Sequence, residues 1–178
     1  MQRSRMQHEV EAAEIATRRL APADAAIYRD IRLEGLRCSP EAYGSTFEAE
    51  NPQPLTWFAD RIGGSVVFGA FQGAELAGVA GLLIGKGLKE LHKSYLWGMY
   101  VRPGFRRNGV GRRLVETITE FARQHVELIQ LAVVSDNREA RRLYAGLGFV
   151  EYGVEKKALK HNGRYYDEIL MAKELQPE

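Results

Sequence analysis

The sequence predicts a mixed α/β domain: a mostly antiparallel, twisted sheet with a crossover helix after the fourth strand. Three observations carry this. Two pairs of β-like runs, 65–71 with 76–84 and 150–160 with 164–175, are each joined by a short turn, and Asn162-Gly163 in the second is a strong tight-turn pair. The clearest amphipathic stretch, 109–125, stands between two further strand-like runs, so a helix rather than a hairpin joins those strands. No internal repeat, linker or low-complexity tract interrupts the alternation, and 178 residues suffice for one core.

Residues 15–20 form a short strand closed by Ala21-Pro22. In 23–36 the apolar positions Ala26, Ile27, Ile31, Leu33 and Leu36 recur near helical spacing, and Ser39-Pro40 breaks that helix. A polar loop with Gly44, Pro52 and Pro54 leads to a second helix, 55–62, ended by Gly63-Gly64. The hairpin of 65–71 and 76–84 turns through Gln72-Gly73-Ala74-Glu75, and the strand 94–101 is rich in aromatic and β-branched residues. The helix 109–125 puts Leu114, Val115, Ile118, Phe121 and Ala122 on one face. The apolar run 128–134 reads as a central strand buried on both faces. A helix over 138–147 aligns Ala140, Leu143, Tyr144 and Leu147, with Gly148 as its C-terminal glycine. The last hairpin carries Tyr165, Tyr166, Ile169 and Leu170 on both faces, which makes it a candidate surface for a homodimer.

Composition narrows the function classes. A net charge of +2 gives no general attraction to nucleic acid, so no nucleic-acid partner is expected. The longest apolar stretch is too short to span a bilayer, and no membrane partner is expected. Residues 1–14 are polar and charged without an apolar signal core, so they read as a flexible extension ahead of a domain at 15–176. The single cysteine, Cys38, excludes an internal disulfide, fits a reducing, cytoplasmic compartment, and reads as a semi-buried apolar residue. His8, His125 and His161 show no ligand spacing with one another or with Cys38, so no metal is expected.

Charge is uneven, however. Arg102, Arg106, Arg107, Arg112 and Arg113 crowd the middle of the chain, which suits a small polyanion. Arg106-Arg107-Asn108-Gly109-Val110-Gly111 falls between the strand ending at Val101 and the helix after it. The first turn of a helix leaves backbone N–H groups without partners, and the helix dipole adds positive potential there, so a pyrophosphate fits that position. Glycines at 109 and 111 let phosphate oxygens approach the backbone, while Arg106, Arg107 and Arg112 add charge-assisted contacts. Neither Gly-x-x-x-x-Gly-Lys-Ser/Thr nor Gly-x-Gly-x-x-Gly occurs at this junction.

That hexapeptide resembles the Gln/Arg-x-x-Gly-x-Gly/Ala signature of the GNAT N-acetyltransferase superfamily. Met99-Tyr100-Val101-Arg102-Pro103 is similar to the strand end that precedes it in that family. Asn137-Arg138-Glu139-Ala140-Arg141-Arg142-Leu143-Tyr144, followed by Gly146-Leu147-Gly148-Phe149, resembles the family's second motif. By order of elements the resemblance covers 15–175, with its motifs inside 97–149. It implies a single-domain GNAT-like fold and an acyl-CoA-dependent N-acyltransferase using acetyl-CoA as co-substrate, by direct attack of a primary amine in a ternary complex. It implies that the fourth strand splays from its neighbour and offers Met99, Tyr100 and Val101 to the pantetheine arm, with an oxyanion-stabilising N–H. Arg106, Arg107, Asn108, Gly109, Val110, Gly111 and Arg112 complete the cofactor set with Asn137, whose side-chain amide reaches the arm and also caps its helix. Tyr144 is implied as the general acid that protonates the departing thiolate.

The chain departs from the family in one respect. Many members carry a glutamate in the fourth strand, and 94–101 holds no carboxylate. A neutral amine is needed for attack, so the proton leaves through water or through one of Glu90, His92, Glu34, Glu48, Glu50, Asp167 and Glu168. Glu34 and Glu48 are the candidate substrate-binding residues, and the run Glu41, Glu48, Glu50 points to a cationic acceptor. The acceptor is a small-molecule amine or a protein amine, either an N-terminus or a lysine. A catalytically silent CoA-binding module is the alternative outside the enzymes.

Overall fold

Turn chemistry sets most of the sheet. In the computed structural model, which describes residues 14–175, Asn162 and Gly163 both take left-handed backbone (φ 48 and 78), as a two-residue hairpin turn requires. The turn joins β6 (Val150–His161) to β7 (Arg164–Glu174). The hairpin of β2 (Val66–Gln72) and β3 (Glu75–Ile84) closes through Gly73 at φ 61. Residues 1–13 of the expected extension, and residue 176 at the far boundary of the expected domain, lie outside the described residues.

Seven strands form one sheet in the order β1-β2-β3-β4-β5-β7-β6, with β1 at Ile15–Arg19, β4 at Lys93–Val101 and β5 at Leu128–Val134. Every pairing is antiparallel except β4 with β5, which α4 (Val110–Arg123) connects as a crossover. Leu114, Val115, Ile118 and Ala122 of α4 are fully buried against one face of the sheet. Each of the larger three contributes about 1.5–3 kcal/mol by leaving water. On the other face α1 (Ala25–Cys38) and α3 (Leu55–Gly63) bury Tyr28, Ile31, Leu36, Phe58 and Ile62. A short α2 (Phe47–Glu50), capped by the Thr46 hydroxyl, interrupts the segment expected to be an irregular loop.

Three expectations are corrected, and the surface offered for a homodimer is narrowed. The buried stripe of α1 runs through Ala25, Tyr28, Ile31 and Leu36, whereas Ala26 and Ile27 face solvent. Strand β5 alternates rather than being buried on both faces: Ile129, Leu131 and Val133 enter the core, while Gln130 on the opposite face binds the Tyr152 hydroxyl. Cys38 is exposed at the end of α1 rather than semi-buried. In the last hairpin Ile169 is a core residue, so of the four residues suggested for a dimer only Tyr165 stands out into solvent.

Candidate functional site

Strands β4 and β5 are in register for three residues only, Lys93↔Leu128, Ser94↔Ile129 and Tyr95↔Gln130. Beyond Tyr95, β4 stays with β3 while β5 continues beside β7, so the sheet opens into a wedge. The wedge holds a groove of about 940 Å³. Within it β4 is bulged. Gly98 and Met99 stand opposite Ala80 alone, between the pairs Gly81↔Trp97 and Val79↔Tyr100, and Gly98 takes φ 62. The extra residue reverses the alternation: Leu96, Met99 and Val101 all pack toward the α4 core, while Trp97 and Tyr100 pack toward α1.

At one end of the groove a 3₁₀ turn, Pro103–Phe105, leads to the start of α4. Gly109 occupies the N-cap position at φ 80, and nothing lies within 4 Å of where its Cβ would stand. The cradle is therefore open, and any side chain would both strain the backbone and fill it. Arg107 also takes a positive φ, 63, a conformation that costs a non-glycine residue energy. Arg106, Arg107 and Arg112 line the groove, and the Arg106 Nε donates to the Val101 carbonyl at 2.9 Å. Gly111 lines the groove too, and its missing side chain also serves packing. Its Cβ would stand 3.0 Å from Met99 Cε and 3.2 Å from Leu143 Cδ2, so glycine here seats α4 against β4 and the helix beyond. Asn108 is exposed and Val110 is core, and neither side chain lines the groove. Arg102 turns away to Glu34.

The far wall comes from α5 (Arg138–Gly146). The Asn137 Oδ1 accepts the Ala140 N–H at 3.1 Å, which caps α5 and leaves the NH₂ end of the amide for any ligand. The helix ends as the Gly148-Phe149 pair suggests. Gly148 takes φ 88, its N–H donates to Ala145 O, and Phe149 N–H reaches back to Tyr144 O. That closure sets the Phe149 ring edge-on against Tyr144 at 5.7 Å and fixes the tyrosine. Tyr144 is 6% exposed, lines the groove, and donates its hydroxyl to Met99 Sδ at 3.2 Å. From the opposite side the Tyr43 hydroxyl donates to the Met99 carbonyl at 3.2 Å. Burial pushes both phenols up; the nearby Tyr43 and Tyr95 add to this for Tyr144, and Arg32 opposes it for Tyr43. Both therefore keep their protons at neutral pH and serve as donors, not bases.

The carboxylates scatter. Glu34 accepts from Tyr100 Oη (3.1 Å) and Arg102 Nε (2.9 Å), and lines a separate 350 Å³ cavity with Arg29, Arg37 and Cys38. Glu48 is exposed and lines neither cavity, whereas Glu50 is buried and ion-paired with Arg32. The acidic run is thus three unrelated environments, and only Glu41 reaches the groove. Glu90 pairs with Lys93, and Asp167 holds Lys156 and the Lys157 N–H. Glu168 is half-buried, its carboxyl pushed up by burial and by Glu155 opposite it. Tyr43, Gly98 and Arg164 line the groove but escape the sequence reading, and Tyr166, read there only as part of a dimer surface, lines it too; only Gly98, a glycine inside a strand, carried a local signal. Among the described residues no group of three or more His, Cys, Asp or Glu side chains is placed to hold a metal ion, and no helix is long and apolar enough to cross a membrane.

Residues 29–149 match the model of the acetyltransferase (GNAT) family. N-alpha-acetyltransferase RimI of Mycobacterium tuberculosis is 29% identical over 135 residues, covering 74% of this chain and 82% of that protein. N-alpha-acetyltransferase 40 of Saccharomyces cerevisiae is 37% identical over 93 residues, which cover 47% of this chain and a third (33%) of the yeast protein. The solved structure of yncA from Salmonella typhimurium, with its cofactor acetyl-CoA, superposes with a TM-score of 0.77 at 21% identity, covering 93% of this chain and 96% of that one.

Proposed function

The chain belongs to the acetyltransferase (GNAT) family, and we propose that its β4–β5 wedge is where acetyl-CoA meets an amine, with pyrophosphate at the start of α4 and the thioester between Met99 and Tyr144. The protein is an acetyl-CoA-dependent N-acetyltransferase. The observation that carries the assignment of the site is the early end of the β4–β5 pairing, which opens one groove containing both the open space at Gly109 and the Tyr144 hydroxyl.

Acetyl-CoA supplies an activated acyl thioester, whose C–S bond breaks as the amine's C–N bond forms. The chain's own residues do the rest. The first N–H groups of α4 and the guanidinium groups of Arg106, Arg107 and Arg112 hold negative charge. Met99 and Val101 offer backbone where β5 has left the strand, and the Asn137 NH₂ group faces the same groove. Tyr144 holds a proton at Oη beside Met99 for the sulfur that leaves. With no carboxylate on β4, the ammonium proton leaves through water, and Glu41 is the carboxylate of the acceptor-side wall.

The acceptor we assign is an α-amino group, free or at a peptide N-terminus. The 3₁₀ turn Pro40–Ala42 lies against both β5 and β6 and narrows the opening, which favours a chain end over a side chain in mid-polypeptide. The two relatives named N-alpha-acetyltransferases support the same choice. A cytoplasmic site of action accords with the single, unpaired cysteine. The test is calorimetric titration with CoA, followed by thiol release from acetyl-CoA over a pool of free amino acids and peptides with free or blocked N-termini. Binding, with turnover confined to free α-amines, is expected. Absence of CoA binding would end the site assignment, and binding without any turnover would favour a silent module.

A further inference from the structure

A buried ion pair lies directly behind the bulge. Arg32 of α1 and Glu50 of α2 have side chains only 5% and 3% exposed, joined by two bonds of 2.9 and 2.7 Å. Withdrawing both charges from water costs about several kcal/mol per ion, and an apolar pair of the same volume would join the helices at least as well. Stability alone therefore does not explain it. Its surroundings do. The Arg32 guanidinium stands 5.1 Å from the centre of the Tyr43 ring, and its remaining nitrogen, Nη1, lies 3.6 Å from where a Cβ on Gly98 would be. Tyr43 in turn bonds the Met99 carbonyl. Gly35, one turn along α1, makes the approach possible, since a Cβ there would stand 2.9 Å from Tyr43 Oη and 3.1 Å from Tyr100 Cγ. Side chains from α1, α2 and the loop between them thus converge on Gly98 and Met99, the two bulged residues of β4.

We propose that Arg32, Glu50 and Tyr43 are positioning residues for acyl transfer: Glu50 orients Arg32, Arg32 fixes the Tyr43 ring, and the Tyr43 hydroxyl pins the bulged peptide. The inference rests on the reading of the wedge as the acyl-transfer site. The bulge needs such a brace because β5 gives it no partner and Gly98 sits in left-handed backbone. The cation beside the ring also strengthens the phenol as a donor. Met99 is then held twice, at its carbonyl by Tyr43 and at its sulfur by Tyr144. A bulge that slipped would carry the neighbour of the Tyr144 hydroxyl with it.

Protein carrying [1-¹³C]methionine should show one carbonyl signal for each of its four methionines. Tyr43→Phe should move the Met99 signal and leave the other three in place. Arg32→Lys, which keeps the charge but loses the planar two-bond fork, should move the same signal although Arg32 does not touch Met99. In both variants kcat over the amine pool should fall about tenfold while KM for acetyl-CoA stays within about twofold, the pattern of misplacement rather than lost binding. A Met99 signal unmoved by Arg32→Lys, or an unchanged kcat in Tyr43→Phe, overturns the brace. Should Arg32→Lys fail to fold, the paired Arg32→Met/Glu50→Leu change keeps volume without charge. That variant should fold, shift Met99 and lose turnover, and normal kcat in it overturns the proposal. Wild-type protein that bound no CoA would instead remove the reading of the groove, and the catalytic role of the brace with it, whatever the carbonyl signals showed.

Discussion

The two walls of the wedge are built from different materials. The wall expected to hold the cofactor is made of backbone and neighbouring residues: a left-handed Gly109, the first N–H groups of α4, and a Schellman closure that seats Tyr144 against Phe149. The opposite wall, where we place the acceptor, is backed by side chains that meet across the chain. Arg32 reaches Glu50 over 18 residues, Tyr43 reaches Met99 over 56, and Tyr100 reaches Glu34 over 66. A wall written in consecutive residues tolerates variation elsewhere, whereas a wall assembled from distant side chains is open to retuning one contact at a time.

The sharpest way to break that contrast is at Gly109. Gly109→Glu puts a carboxylate into the open cradle and forces φ 80 on a residue with a Cβ. CoA affinity should fall at least about a hundredfold, or roughly 2.7 kcal/mol. Gly109→Ala separates the two causes, because it strains the backbone without adding charge. Calorimetry with unchanged affinity in Gly109→Glu would move the phosphate site away from α4.

Tyr144 lies where the two walls meet, since its hydroxyl and that of Tyr43 both converge on Met99. Tyr144→Phe removes the proton and keeps the ring packed on Phe149. We expect kcat to drop by about 10²-fold with CoA affinity nearly unchanged. Equal losses in kcat and affinity would reduce Tyr144 to a packing residue, and the cofactor wall would then carry no chemistry of its own.

This contrast also explains what the sequence could reveal. Element order apart from the short α2, both glycine turns, the crossover helix and the position of the strand 128–134 were legible because each shows in the pattern of one continuous stretch of chain. The sequence also pointed to Gly109, Gly111 and Tyr144, which the fold brings to one groove, but not to the Met99 and Leu143 side chains that fill the space beside Gly111. The acceptor wall was not legible. Nothing near Glu50 in sequence indicates that it faces Arg32, so it read as part of an acidic run with Glu41 and Glu48. Glu34 read as a substrate residue for the same reason, and its partners Tyr100 and Arg102 lie three strands away in the chain. The one local clue, Gly98 within a strand, marked the bulge without showing what braces it.

A smaller effect sharpens the boundary from the cofactor side. The Asn137 cap uses a side-chain oxygen, unlike the backbone-only start of α4 at Gly109. Asn137→Ala should therefore cost about 0.5–2 kcal/mol in a denaturant titration. It should also weaken CoA through loss of the NH₂ group in the groove. A stability loss with intact affinity would confine Asn137 to capping.

The smallest effect tests the contrast through acid. The acceptor side leans on ionised carboxylates, whereas no side chain caps α4. Asp24, at the start of α1, accepts two bonds from Arg18 and one from the Ala21 N–H. Its carboxyl is pulled down to about 2, first by the Arg18 bonds, against the opposing effect of burial. For Glu50, burial pushes the carboxyl up, but the Arg32 bonds prevail and it too lies below its ordinary range. A carboxyl depressed in the folded state adds stability above its unfolded value, and that stability is lost as pH falls toward the folded one. For Asp24 the window runs from about pH 4 down to about 2, and because Arg18 is half exposed the contribution is below about 1 kcal/mol. Hydrogen exchange should therefore show α1 amides opening before those of α4 as pH drops from about 4 to about 2. The gap in urea midpoint between wild type and Asp24→Asn should narrow over the same range. If α4 opened with α1 throughout, the two walls would be one cooperative unit, and the difference in their construction would have no energetic consequence.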